Sequence, residues 1–196
     1  VTRGTLYGID RPVGQVGISE KGYLSLRLKA KVSGGHSATP PERTAIGSLG
    51  LAIAALEANP FPQHLEVIQF MMGFVGEALP FFERMRYANA WLFGSGLKRK
   101  LAAHPVTNAL TRTTTAPTII KGGSAENVLP AEAEALINFR ILPGDTVVDV
   151  FQSVSEMVGD EVIEVLPAHG ETLQDEHAWD PTPVADVDSP EFERLA

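Results

Sequence analysis

The chain has 196 residues, 44% of them hydrophobic and 20% charged, which supports a packed core and excludes general disorder. A net charge of −8 argues against nucleic acid as a partner, because phosphates call for clustered Lys and Arg, and the short run Lys98-Arg99-Lys100 fits a solvated helix face. The absence of cysteine excludes disulfides and thiolate metal sites and leaves the compartment open. No signal peptide is legible and no apolar run approaches the roughly 20 residues of a membrane span, so a soluble chain without a transmembrane segment is expected.

In chain order, residues 1–18 are glycine-rich and offer at most one strand, Val13 to Ile18. After a polar break, Tyr23 to Val32 alternates strictly, with Leu24, Leu26, Leu28, Ala30 and Val32 on one face. That is a half-buried strand. In Gly34-Gly35-His36-Ser37-Ala38-Thr39-Pro40-Pro41-Glu42, the spacing of Thr39 and Glu42 predicts a capping box, with Pro40 at the first helical position. The helix is expected to reach Ala58, to bury Ile46, Leu49, Ile53 and Leu56, and to stop at Asn59-Pro60.

From Phe61 to Leu110 the spacing turns helical and aromatic, suggesting a short apolar segment and one or two helices broken near Gly94-Ser95-Gly96. The stripe of Phe81, Phe82, Met85, Trp91, Leu92 and Phe93 fits core or interface better than a cofactor box. Two extended runs follow, Thr113 to Ile120 and Glu132 to Ile141, joined through Gly122, Gly123 and Ser124, where the backbone can take φ > 0. Asp145 is placed to cap a second amphipathic helix, Val147 to Val158, and Glu161 to Leu166 reads as a last strand. With the middle segment set aside, the order is β-α-β-β-α-β. Connection rules make this an α+β, ferredoxin-like two-layer sandwich with a mainly helical insertion after the first helix. Beyond Ala168 the sequence is acidic, Pro-rich and aperiodic, as in a linker.

Chemistry-bearing residues are few. His36, between a strand end and a helix start, could donate to an oxyanion, or could simply pack on its own helix. Asn127 and, further on, Arg140 follow the glycine turn in a hairpin that suits a carboxylate or oxyanion; an ordinary hairpin with a turn Asn and an exposed Arg fits the same spacing. The five histidines are spread through the chain without zinc-ligand spacing, and no serine nucleophile motif or phosphate loop is present. No metal site is expected within this chain.

Three segments carry a resemblance: GGHSATPP at 34–41, NVLPAEAEALINFRILPGDT at 127–146 and EKGYLSLRL at 20–28. They resemble the lid, or dimerisation, domain of the zinc metallopeptidases that include aminoacylase, glutamate carboxypeptidase and succinyl-diaminopimelate desuccinylase. NAWLF at 89–93 and TNALTRTTTA at 107–116 are similar to the branch holding carboxypeptidase S and the N-fatty-acyl-amino-acid synthase/hydrolase. The resemblance implies that His36 reaches the partner subunit's active site and steadies an oxyanion. It implies that Asn127 contacts substrate, that Arg140 binds the substrate's terminal carboxylate, and that Gly122 and Gly123 form the family's glycine turn. It further implies a homodimer formed through the first helix and an edge strand at Pro117 to Lys121. The substrate would be a peptide or N-acyl amino acid.

The family's two zinc ions and general-base Glu belong to another domain, whose motifs are absent here, so the chain alone is expected to be inactive. By the same resemblance, residues 1–20 end a catalytic-domain segment and 21–168 form the lid with its insertion at about 61–111. Residues 169–196 lead back to the catalytic domain. The alternative is a freestanding ferredoxin-like module that binds a small regulatory molecule. RNA is disfavoured by the acidic balance and by the lack of alternating aromatics on the central strands.

Overall fold

A computed structural model of the chain describes Gly14 and residues 16–169, 172–173 and 177–194. Its elements are β1 (Gly22–Lys31), β2 (Gly35–His36), α1 (Ala45–Ala58), α2 (Glu66–Val75), a 3-10 turn (Gly76–Ala78), α3 (Phe81–Ala88), α4 (Ala90–Ala102) and α5 (Pro105–Thr111), followed by β3 (Thr114–Gly122), β4 (Val128–Leu129), β5 (Glu132–Ile141), α6 (Val147–Val158), β6 (Ile163–Pro167) and α7 (Pro190–Glu193). Contacts divide them into a sheet unit, Glu20–Phe61 with Thr113–Pro183, and a helical unit built on Pro62–Arg112.

The sheet unit is the expected α+β sandwich. Its four strands lie in the order β3-β5-β1-β6, all neighbours antiparallel. Alternation along β1 sends Leu24, Leu26, Leu28 and Ala30 to one face, where the register sets them beside Ala133, Ala135, Ile137 and Phe139 of β5. Helices α1 and α6 cover that face with Leu49, Leu56, Val150 and Val154, each buried to within 1% of full. Burial of such side chains contributes about 1.5–3 kcal/mol each. The opposite face of the sheet carries Tyr23, Arg27, Lys29 and Lys31.

Helix α1 starts later than expected. Thr44, not Thr39, is its N-cap, and the Thr44 hydroxyl accepts from Gly47 N at 3.1 Å. The cause is local. A residue that precedes proline is pushed out of the helical region, and both Thr39 and Pro40 precede one. The buried stripe is therefore Ala45, Leu49, Ala52 and Leu56, and Ile46 is 47% exposed. Asn59 ends the helix as expected, its amide donating to Ala55 O.

Helix α6 is capped by Thr146, not Asp145, in a complete capping box with Asp149. Asp145 instead accepts from the buried Thr113 hydroxyl at 2.5 Å, and that hydroxyl accepts in turn from Leu142 N. Past β6 the chain returns to the sheet. Trp179 bridges to Tyr23, the Asp180 carboxylate accepts from Val147 N, and Thr182 N donates to Glu20 O. In the expected strand Val13 to Ile18, Val13 and Gln15 lie outside the described residues, and Val16–Ile18 is not in a strand.

The helical unit packs Leu65, Ile68, Met72, Leu79, Tyr87, Leu97 and Leu101 into its own core. It holds more helices than expected, and α4 runs straight through Gly94-Ser95-Gly96. Each interior glycine costs roughly 1 kcal/mol against alanine. Burial of Ala90, Leu97 and Leu101 on one face of α4 offsets that. Phe81, Phe82, Trp91 and Leu92, expected in core or interface, are 60–83% exposed.

Candidate functional site

The residues singled out in the sequence fall into two groups at opposite ends of β5. Beyond the Lys31/Glu132 end of the sheet, β2 and β4 form a two-stranded ribbon that pairs Gly35 with Leu129 and His36 with Val128. Ser37 N donates to Asn127 O at 3.1 Å, so His36 and Asn127 sit side by side on it. The ribbon explains one of the two glycines before His36. A Cβ at Gly34 would lie 2.9 Å from Leu129 O, closer than a side chain can approach, and 3.1 Å from Ala131 N. Gly123 has φ +76° and makes the turn after β3, whereas Gly122 ends the strand. A Cβ at Gly122 would press on Ala133 and Ile46 at 3.1 and 3.2 Å, so its role is close packing on α1.

Both side chains at the ribbon are exposed. The His36 Nδ1 accepts from Ala38 N at 3.1 Å. A ring nitrogen that accepts carries no proton, which leaves Nε2 as the ring's donor nitrogen. The Asn127 carboxamide makes no hydrogen bond among the described residues. The charges around this end are already matched. Lys29 pairs with Glu132 and Glu134, and Lys31 with Glu164. The hydrogen bond with Glu132 raises the Lys29 pKa, and its counterpart lowers that of Glu132.

Arg140 lies at the other end, in register with Tyr23 on β1 and Thr114 on β3. Its guanidinium carbon is 4.7 Å from the centre of the Tyr23 ring, and that ring stacks on Trp179 at 4.9 Å. The Tyr23 ring, backed by Trp179, holds the cation by a cation–π contact. Arg140 is exposed and forms no ion pair among the described residues. Lys21, one residue before β1, has its pKa lowered to about 8 by burial, partly countered by Asp145. The eight steps from Glu132 to Arg140 span about 26 Å of strand. The amide and guanidinium that the sequence placed along one hairpin are thus not brought together in one protomer.

The Tyr23–Trp179 support is invisible to local pattern reading, because 156 positions separate the rings. The ribbon escaped too, since two-residue strands carry no periodicity. Its signal was Gly34. His169 and His177, distant in the expected layout, meet with ring centres 4.8 Å apart. Among the described residues no three His, Asp or Glu side chains converge as metal ligands.

The antiparallel α+β sheet unit, with α1 and α6 on one face, has the fold of a peptidase dimerisation domain. The chain belongs to the peptidase dimerisation domain family, whose model matches residues 18–165. Among curated proteins it is 38% identical to the N-fatty-acyl-amino acid synthase/hydrolase PM20D1 of Xenopus tropicalis, over 96% of this chain and 36% of that protein. It is 36% identical to a Dictyostelium discoideum protein named "Probable carboxypeptidase S-like 2", over 96% of this chain and 35% of that one. The chain therefore spans about a third of the length of these relatives. In fold it is similar to the M20 family metallo-carboxypeptidase Sso-CP2 of Sulfolobus solfataricus, with a TM-score of 0.52 and 18% identity over 91% of this chain and 48% of that one.

Proposed function

We propose that this chain is the dimerisation and substrate-capping domain of a two-zinc amide hydrolase that cleaves next to a free carboxylate, with a peptide or N-acyl amino acid as substrate. The names of the relatives, probable carboxypeptidase S-like 2 and N-fatty-acyl-amino acid synthase/hydrolase, support that class of bond. Among the described residues no donor set fits a zinc ion, and the metal ligands are assigned to the catalytic domain that the family resemblance implies. What this chain supplies is confined to its own donors and its own cation.

The observation that carries the proposal is the separation of the two groups. His36 Nε2–H and the Asn127 amide are neutral donors suited to an oxyanion in a water-poor site, where one such donor is worth roughly 10²–10³ in turnover. Arg140 is a planar, permanently charged fork suited to a carboxylate. With about 26 Å of strand between them, they act on one substrate only if they come from two subunits. The edge strand β3 supplies the joint. It is the outer strand of the sheet, with Ile120 63% exposed and the exposed Ile46 of α1 beside its end at Gly122. Two such edges paired about a two-fold axis would join the sheets and cover both isoleucines.

The test is complementation in the parent enzyme. His36→Ala and Arg140→Ala homodimers should each be impaired. A mixed population should recover about a quarter of wild-type activity, since half the dimers are hybrids and each hybrid has one intact site. Recovery no better than the average of the two mutants would overturn the shared site. Sedimentation of the isolated domain as a monomer at every concentration would overturn the edge joint.

A further inference from the structure

The helical unit contains a cavity of about 420 Å³ in the fork between α2, the 3-10 turn and α3. Gln69, Met72, Gly73 and Gly76 face it at helical spacing from one side; Arg84, Tyr87 and Ala88 face it from the other, with Glu77 and Leu79 between. Its size is at the low end of the roughly 300–1,000 Å³ of small-molecule sites. Its floor is apolar, formed by the buried Met72, Leu79 and Tyr87. Gly73 and Gly76 keep it open, since a Cβ at either would meet nothing within 4 Å. Glu77 and Arg84 line the same cavity with opposite charges, and neither forms an ion pair among the described residues. Glu83, by contrast, pairs with both Arg86 and Lys100 nearby on α3 and α4.

We propose that this cavity is a binding site for a free α-amino acid with a large apolar side chain. Arg84 would take the carboxylate, Glu77 the ammonium group, and the Met72–Leu79–Tyr87 floor the side chain. A simple anion is the poorer fit, because Glu77 opposes it; a simple cation meets Arg84. A zwitterion with an apolar body satisfies both charges and the floor at once. The cavity is lined entirely by the helical unit, so this site stands independently of the role proposed for the sheet.

Calorimetric titration of the 196-residue chain with L-phenylalanine tests it, with N-acetyl-phenylalanine, phenethylamine and glycine as the ligands that each lack one feature. Saturable one-site binding of phenylalanine is expected, about tenfold or more tighter than any of the three. Gly73→Leu should fill the cavity and abolish binding while the circular dichroism spectrum is retained. Arg84→Met should weaken phenylalanine but not phenethylamine, and Glu77→Gln phenylalanine but not its N-acetyl derivative. Both side chains are exposed, so these two variants decide the matter if Gly73→Leu fails to fold. The absence of saturable heat overturns the site, as does wild-type binding by Gly73→Leu. Equal binding of phenylalanine and either charge-deleted analogue overturns the zwitterion assignment. Because the readout is binding to this chain alone, failure here leaves the complementation test untouched.

Discussion

The two ends of the sheet are built on opposite electrostatic plans. At the ribbon end, Lys29, Lys31, Glu132, Glu134 and Glu164 neutralise one another, and the exposed His36 and Asn127 are left as hydrogen-bond donors. At the other end, Arg140 is left without a carboxylate among the described residues and is held by π contact instead of charge. In the proposed function, one end would meet charge that develops during a reaction and the other a charge that the substrate already carries. The difference follows from partners supplied by the fold, since both ends of β1 and β5 have the same antiparallel pairing.

The contrast is broken most severely at His36. His36→Ala in the parent enzyme should lower kcat by roughly 10²–10³ with little change in KM. A mutant with wild-type kcat would reduce the ribbon to a structural feature. Arg140→Ala should act on KM instead, raising it about 10- to 100-fold for substrates with a free carboxylate and leaving their amides unaffected. Equal losses on acid and amide substrates would erase the distinction between the ends. Tyr23→Leu removes the shelf but not the cation, so a smaller rise in KM is expected, about 2- to 10-fold for a contact worth about 0.5–1 kcal/mol or somewhat more. If Tyr23→Leu matches Arg140→Ala, the ring itself touches substrate.

The smallest effect concerns Lys21, beside the Arg140 end. Its folded pKa of about 8 lies below the ordinary lysine value of 10.5, so between these values the unfolded chain binds more protons than the folded one. Stability from this group therefore rises as pH goes from about 8 to 10.5. Lys21→Met should stabilise the domain at pH 7 by about 1 kcal/mol, a figure discounted for the partial exposure of the amine. The gain should fade toward pH 10.5. Thermal melts at the two pH values measure it; a gain that grows with pH would reverse the assignment.

Much of the sheet unit was legible in the sequence because its elements are periodic. Strict alternation located β1 and β5 to within a residue or so, and Val150 and Val154 oriented α6. Legibility failed where a neighbour decides. Thr39 and Glu42 have capping-box spacing, but consecutive prolines forbid the turn they would cap. Gly94 and Gly96 look like a break until Leu97 and Leu101 are buried around them. Ile46 matches a core stripe yet lies exposed beside the edge strand. Of the site, each residue could be named and its chemical type weighed. Their distribution between two ends could not, because it depends on which end of β5 meets the ribbon and on a tryptophan that returns from far along the chain.

The pairing of β1 also has a temporal consequence. Its two hydrogen-bonding neighbours are β5 and β6, and the nearer begins at Glu132, roughly 100 residues after Lys31. At translation rates of roughly 5–20 residues per second, that delay is about 5–20 s. For that interval the leucine-rich strand at the centre of the finished sheet leaves the ribosome with both edges unpaired, while α2 to α5 close local contacts. The domain is exposed to aggregation during its synthesis more than after it, and variants that weaken β5 should show their cost first in the yield of folded chain.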